Sequence, residues 1–223
     1  MARGKSANFE QQRETILAAA AKLFAEKGFH NASMAELAKA CGISKPLAYH
    51  YYRDKEHILF DIADSYIDEL LAIVAEVEAR RLDPAEHFSA LVTRFMDEYE
   101  HSQDQHMVLV QDVKFLQQEQ SAHVNDKQRR VVAGFADALV RLEPGLKRQK
   151  LDKAVTMILF GMINWTFTWL RADGPLTFRD MAPIVTQIFL NGVRGLMSPD
   201  AEKEKDGGKS GGQGRALAES PPG

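Results

Sequence analysis

The chain has 223 residues, 45% of them hydrophobic and 26% charged, and a formal net charge of −3. Those proportions exclude a collagen-like or wholly disordered chain, and the single cysteine, Cys41, excludes an internal disulfide and suits a cytoplasmic setting. No apolar run follows the opening Met-Ala-Arg-Gly-Lys-Ser, so no secretory signal is expected, and the longest uncharged stretch, 154–170, is shorter than the ~20 residues of a membrane span.

Apolar residues recur at three- and four-residue steps throughout, and period-two alternation is absent, which predicts an all-α chain. In the first expected helix, 8–27, Ile16, Leu17, Ala20, Leu23 and Phe24 form one stripe and Gly28 is a natural stop. Ser33-Met34-Ala35-Glu36 reads as a capping box opening a second helix that ends at Cys41-Gly42. Ser44 caps a very short third helix, with Pro46 in the first turn, where its missing N–H does no harm. Asp54 caps a long fourth helix, 54–81, and Asp83-Pro84-Ala85-Glu86 opens a fifth. Helices are then expected at 84–101, 104–117, 121–143, 148–171 and 178–197, with breaks at Glu143-Pro144-Gly145 and Asp173-Gly174-Pro175 and a cap at Thr177. Residues 198–223 hold almost no large apolar side chain and are expected to form a disordered tail.

Residues 1–57 carry nine basic side chains against six acidic ones, so a basic head sits on an acidic body, as suits a head that meets phosphate. Within it, two short helices joined by Cys41-Gly42-Ile43 have the shape of a helix-turn-helix, whose second helix enters the major groove. On a helical wheel Ala48 and Tyr52 turn inward toward Leu37, Ala38, Ile43, Leu17 and Phe24. Lys45, Pro46, Leu47, Tyr49 and His50 turn outward. That side suits a duplex better than water: Lys45 and Tyr49 bond phosphate, Pro46 and Leu47 touch a thymine methyl, and His50 reaches a phosphate or base edge. Lys55, in the first turn of the next helix, adds a phosphate contact.

Residues 10–60 resemble the N-terminal domain of the TetR/AcrR family of transcriptional regulators. The resemblance is carried by Ala20-Ala21-x-Leu23-Phe24, Gly28-Phe29, Ser33-Met34, Leu37-Ala38, Cys41-Gly42-Ile43-Ser44-Lys45, Tyr49-His50-Tyr51-Tyr52 and Lys55-Glu56. Ala48 stands where the family usually has Leu, Tyr52 where it has Phe, and Pro46-Leu47 where small or polar residues are frequent. The resemblance implies that Ser33, Lys45, Tyr49, His50 and Lys55 occupy DNA-contacting positions. Arg3 and Lys5, ahead of the first helix, are expected to act as a minor-groove arm.

The expected organisation is a helix-turn-helix DNA-binding domain at 1–55, a ligand-binding and dimerisation domain at 56–197, and the tail. One head reads one half-site, so specific binding implies a homodimer on a palindromic double-stranded DNA operator. The apolar helices at 148–171 and 178–197 are the expected interface. Phe88, Leu91, Phe95, Met107, Gln111, Phe115, Met157, Phe160, Asn164 and Trp165 are the expected lining of a mostly apolar pocket, with Gly161 leaving room. The C-terminal half loosely resembles family members that respond to acyl-CoA thioesters from fatty or aromatic acid catabolism. Arg80, Arg81, Lys114, Arg129, Arg130 and Arg171 are the cations available for coenzyme A phosphates. No membrane, metal or cofactor is expected.

Enzyme readings find no support in the residues. Glu98-Tyr99-Glu100-His101-Ser102-Gln103-Asp104-Gln105-His106 crosses a helix break instead of converging on one point. Gly207-Gly208-Lys209-Ser210 lacks the leading glycine and the strand of a phosphate loop. The alternatives kept open are a TetR-like regulator of drug efflux and a ligand-binding helical protein or enzyme with an unused head. No segment looks built to contact polymerase, which favours repression over activation.

Overall fold

The local signals above fix most helix ends. In this computed structural model the described residues are 2–171 and 173–197, with side chains from Phe9 onward, and among them there are α-helices and 3-10 turns but no strand. Helix α1 (Ala2–Lys27) buries Ile16, Ala20 and Phe24 and stops at Gly28, whose φ of 79° suits a residue without Cβ. It begins at Ala2, so Arg3 and Lys5 lie inside it and do not precede it as an arm. Helices α2 (Met34–Ala40) and α3 (Lys45–Tyr51) follow, with Gly42 at φ 66° turning the chain between them. Helix α4 (Lys55–Ala79) starts where the Asp54 carboxylate accepts the His57 N–H at 2.9 Å. Asp83 caps α5 (Pro84–His101) by accepting from Ala85 and Glu86.

Two expected helices are broken. The 104–117 segment is α6 (Gln103–Gln111) and a 3-10 turn at Val113–Phe115, which carries the Phe115 ring onto Phe29 at 5.7 Å. After α7 (Gln118–Leu142), the 148–171 segment divides into α8 (Gly145–Arg148), α9 (Asp152–Asn164) and a 3-10 turn at Trp165–Thr168. Lys150, at φ 58°, separates α8 from α9. The Thr166 and Thr168 hydroxyls donate to the carbonyls three residues back, Ile163 and Trp165, beside the tightened last turn. Helix α10 (Phe178–Leu196) opens on a capping box of Thr177 and Asp180. The expected tail, 198–223, lies outside the described residues.

Helix α4 is the axis of the molecule. Its first turns are tied to α1, where Asp61 holds Arg13 at 2.6 Å, and its remainder packs against α5, α6 and α7. Buried side chains form one continuous core through head and body, so the expected boundary at residue 55 falls inside a packed junction. Helix α7 approaches α4 closely at Gly134, where a Cβ would lie 2.6 Å from Val74 Cγ1. In the body, Phe135 takes Phe95 and Phe160 edge-on at 4.7 and 5.0 Å, and Phe88 stacks on Phe189 of α10 at 5.8 Å. Among the described residues no helix is long and apolar enough to cross a membrane.

Candidate functional site

The helix-turn-helix head is built from caps inward. The Ser33 hydroxyl accepts the Glu36 N–H while the Glu36 carboxylate takes both the N–H and O–H of Ser33, closing the expected box at the start of α2. Ser44 accepts the Leu47 N–H at 3.3 Å and starts α3. Ala48 and Tyr52 are buried beneath α3, and Leu37, Ala38 and Phe24 are buried in the same core. On the other side Lys45, Pro46, Leu47, Tyr49 and His50 are exposed, Tyr49 to 47%, with the Lys45 ammonium 6.0 Å from its ring. A cation and a phenol thus stand side by side on the open face of a two-turn helix.

The base of that helix is fixed by charge. Arg13 donates to the Tyr52 phenol at 3.1 Å and to Asp61 at 2.6 Å, joining α1, the end of α3 and α4. The bond to Asp61, with that to Tyr52, raises the guanidinium pKa, and burial raises the phenol's. Partial burial works against the Asp54 charge, but bonds from the His57 ring and N–H and from Arg53 hold its carboxyl down at about 2.

Lys55, expected to contact phosphate, is engaged within the head. Its ammonium donates to the carbonyls of Phe29, His30 and Ala32 at 2.8, 3.1 and 3.2 Å and lies 4.5 Å from the Phe29 ring. All three donors are occupied by the turn between α1 and α2, where three carbonyls converge and water is partly excluded. Ser33 likewise has its hydroxyl engaged in the capping box.

The body holds a cavity of about 550 Å³. Ile67 and Leu70 of α4, Leu109 and Val110 of α6, Val131, Val132, Ala133 and Ala136 of α7, and Met157 and Phe160 of α9 give it apolar walls. Polar groups interrupt them: Tyr99, His106 and Asn164, then Asn125, Gln128 and Arg129 on α7, and Asp152 and Lys153 at the start of α9. Burial lowers the His106 pKa to about 4, so the ring is neutral near pH 7.

Of the residues expected to line a pocket, Met157, Phe160 and Asn164 come together here. Phe88, Leu91 and Phe95 do not, because all three are fully buried in the core, Phe88 against α10 and Phe95 against α7. Phe115 belongs to the head–body junction, stacked on Phe29 and edge-on to His30 at 4.1 Å. Gln111 is exposed, and Met107 stands beside His106 and outside the wall. Trp165 is 66% exposed on the outer side of the chain. His106, Asn125 and Gln128 were not expected to line the pocket. Their signal was the spacing of Asn125, Gln128, Arg129 and Val132 along one helix side. Of the six cations noted for coenzyme A, Arg129 borders the cavity.

A second exposed face is apolar. Ile158 and Trp165 on and after α9, with Ile184, Ile188 and Leu196 on α10, are open to solvent, Ile188 to 60%. A Cβ added at Gly161 or Gly192 meets nothing within 4 Å.

A helix-turn-helix head on a helical body that carries an open, mostly apolar cavity is the build of a DNA-binding regulator. Residues 16–62 match the bacterial regulatory proteins of the tetR family, and residues 81–193 match the tetracyclin repressor-like C-terminal domain. A crystal structure of a TetR-family transcriptional regulator from Bordetella parapertussis is 36% identical, with a TM-score of 0.78 over 83% of this chain and 97% of that one. The HTH-type transcriptional repressor KstR2 of Mycobacterium tuberculosis is 25% identical over 186 residues, 82% of this chain and 92% of KstR2. AibR, solved in complex with isovaleryl coenzyme A and operator DNA, shares the fold at 23% identity and a TM-score of 0.69, over 79% of this chain and 97% of that one. The chain belongs to the TetR family of transcriptional regulators.

Proposed function

We propose that the chain is a homodimeric repressor that grips a near-palindromic operator through α3 and is released when a small hydrophobic effector occupies the body cavity. The observation that carries this reading is the open side of α3, where Lys45, Pro46, Leu47, Tyr49 and His50 stand clear of the core. Lys45 and Tyr49 take phosphates, and Leu47 and His50 face base edges. Ser33 and Lys55 are assigned a supporting role, holding the helices that present this side. Repression agrees with the name of the relative KstR2.

The apolar sides of α9 and α10 meet their copies across a two-fold axis, forming a four-helix bundle that spaces the heads. An acyl-CoA thioester is the effector we favour. Its acyl part suits the apolar walls, Arg129 and Lys153 supply positive charge beside them, and AibR was solved with such a ligand. Release follows from linkage: a ligand that prefers a head spacing mismatched to the grooves lowers DNA affinity by the same factor that DNA lowers the ligand's. The relay we assign runs through α4 and α6. The latter lines the cavity with Leu109 and Val110, packs along α1 and leads to the Phe115–Phe29 stack.

Gel retardation on the DNA upstream of the chain's own gene tests the reading. Tyr49→Ala should weaken operator binding by roughly tenfold, about 1.4 kcal/mol. Lys45→Ala should reduce the slope of log affinity against log salt by about one, as loss of one phosphate contact does. Lys55→Ala should lower stability and leave that slope unchanged. Undiminished retardation by both Tyr49→Ala and Lys45→Ala refutes the assigned face.

A further inference from the structure

Three helices bring polar side chains together at the Asn164 end of the cavity: Tyr99 from α5, His106 from α6 and Asn164 from α9. Tyr66 of α4 stands behind His106. Tyr99 is buried, and its hydroxyl proton must find an acceptor; Asn164 Oδ1 lies 2.8 Å away. That bond fixes the amide. Oδ1 turns toward Tyr99, and Nδ2, with two N–H donors, is left on the cavity side without a partner among the described residues. Tyr66 is buried too, and its hydroxyl reaches His106 Nδ1 at a long 3.4 Å. His106 Nε2 is sealed from solvent, so a ligand in the cavity does not reach it, and the ring instead backs Tyr99, centroids 3.9 Å apart. Asn164 Nδ2 is the donor left to the cavity.

We propose that Asn164 Nδ2–H, oriented by Tyr99, recognises a carbonyl oxygen on an otherwise apolar effector. The inference rests on the cavity being the effector site, as argued above. It defines the ligand class by exclusion as well as by fit. A plain hydrocarbon covers this donor and leaves it unmet, and a cationic amine places N–H against N–H. A ketone, ester, amide or thioester satisfies it, and the surrounding Ile67, Leu70, Leu109 and Phe160 accept its hydrocarbon part. A site built to hydrogen-bond a ligand discriminates strongly against the isostere that lacks the polar group, because its own buried groups then go unpaired.

The test uses the full chain and two probes of one shape, benzophenone and diphenylmethane, which differ by a single carbonyl. Affinities are read by displacement of 1-anilinonaphthalene-8-sulfonate. Wild type should bind benzophenone at least about tenfold more tightly. Asn164→Leu should bring the two probes to within about twofold of each other by weakening benzophenone alone, since only the carbonyl uses the lost donor. Tyr99→Phe keeps the ring and removes the hydroxyl that orients the amide, so it should reduce the preference without changing diphenylmethane affinity. Equal binding of the probes by wild type, failure of both to bind, or a preference that survives both substitutions overturns the proposal. Operator retardation is scored separately. A carbonyl preference without release of DNA by benzophenone counts against the effector reading and leaves the Asn164 donor standing. Intact retardation with no probe bound does the reverse.

Discussion

Two lysines ten residues apart divide the work of the head. Lys45 stands on the open side of α3, and Lys55 is held by three carbonyls of the turn before α2. Both are cations in a basic segment, and only tertiary geometry separates them, because the carbonyls that hold Lys55 come from residues 23 to 26 positions earlier. His106 shows the same dependence on context. It stands in a polar run of the sequence, yet the fold buries it against Tyr66 and Tyr99 and lowers its pKa from 6.5 to about 4. The sign of the consequence is definite. Below pH 6.5 the unfolded chain takes up a proton that the folded ring refuses, so stability is complete above that pH and declines as pH falls toward 4. At about 1.4 kcal/mol per unit, the decline from this one residue is on the order of 2–3 kcal/mol at pH 4.5. Urea titrations at pH 7 and pH 4.5 should show it in wild type, and His106→Phe should remove that share of the difference.

Cap chemistry made the helix starts legible, because a cap is satisfied within three or four residues. Ser33, Ser44, Asp54, Asp83 and Thr177 each accept the backbone N–H that their positions predict. What stayed illegible was set by distant partners. The segment after Gln111 leaves the helix and places Phe115 on Phe29, and the 148–171 run breaks at Lys150 and again at Trp165. An apolar stripe gave the buried side of α5 but could not say whether Phe88, Leu91 and Phe95 face a neighbour or a void. They face neighbours, and the cavity lies around Met157, Phe160 and Asn164 instead. The α4–α7 crossing yields a prediction of its own. Gly→Ala within a helix ordinarily stabilises by about 0.5–1 kcal/mol. At Gly134 the added Cβ meets the stiff, branched Val74 at 2.6 Å, so Gly134→Ala should instead destabilise by about 1–3 kcal/mol in denaturant titrations. Adding Val74→Ala should recover part of that loss. A stabilised Gly134→Ala variant would show that the two helices separate freely.

At the scale of the molecule, a short reading helix with few contacts needs a second copy to be specific. Ile188, 60% exposed at the middle of α10, is the test residue for the face proposed to supply it. Ile188→Glu should sediment as a folded monomer with an unchanged helical signal and should lose retardation of the operator at concentrations where wild type binds. On the proposed function the spacing between heads is the quantity through which an effector acts, and the α3 face is the surface on which the rest of that proposal depends. Hydroxyl-radical footprinting on DNA selected by the chain tests that dependence most directly. Two protected segments on one side of the duplex, spaced by whole helical turns of about 34 Å and weakened together by Tyr49→Ala, are the result expected. A single unpaired footprint, or protection that Tyr49→Ala leaves intact, would contradict it.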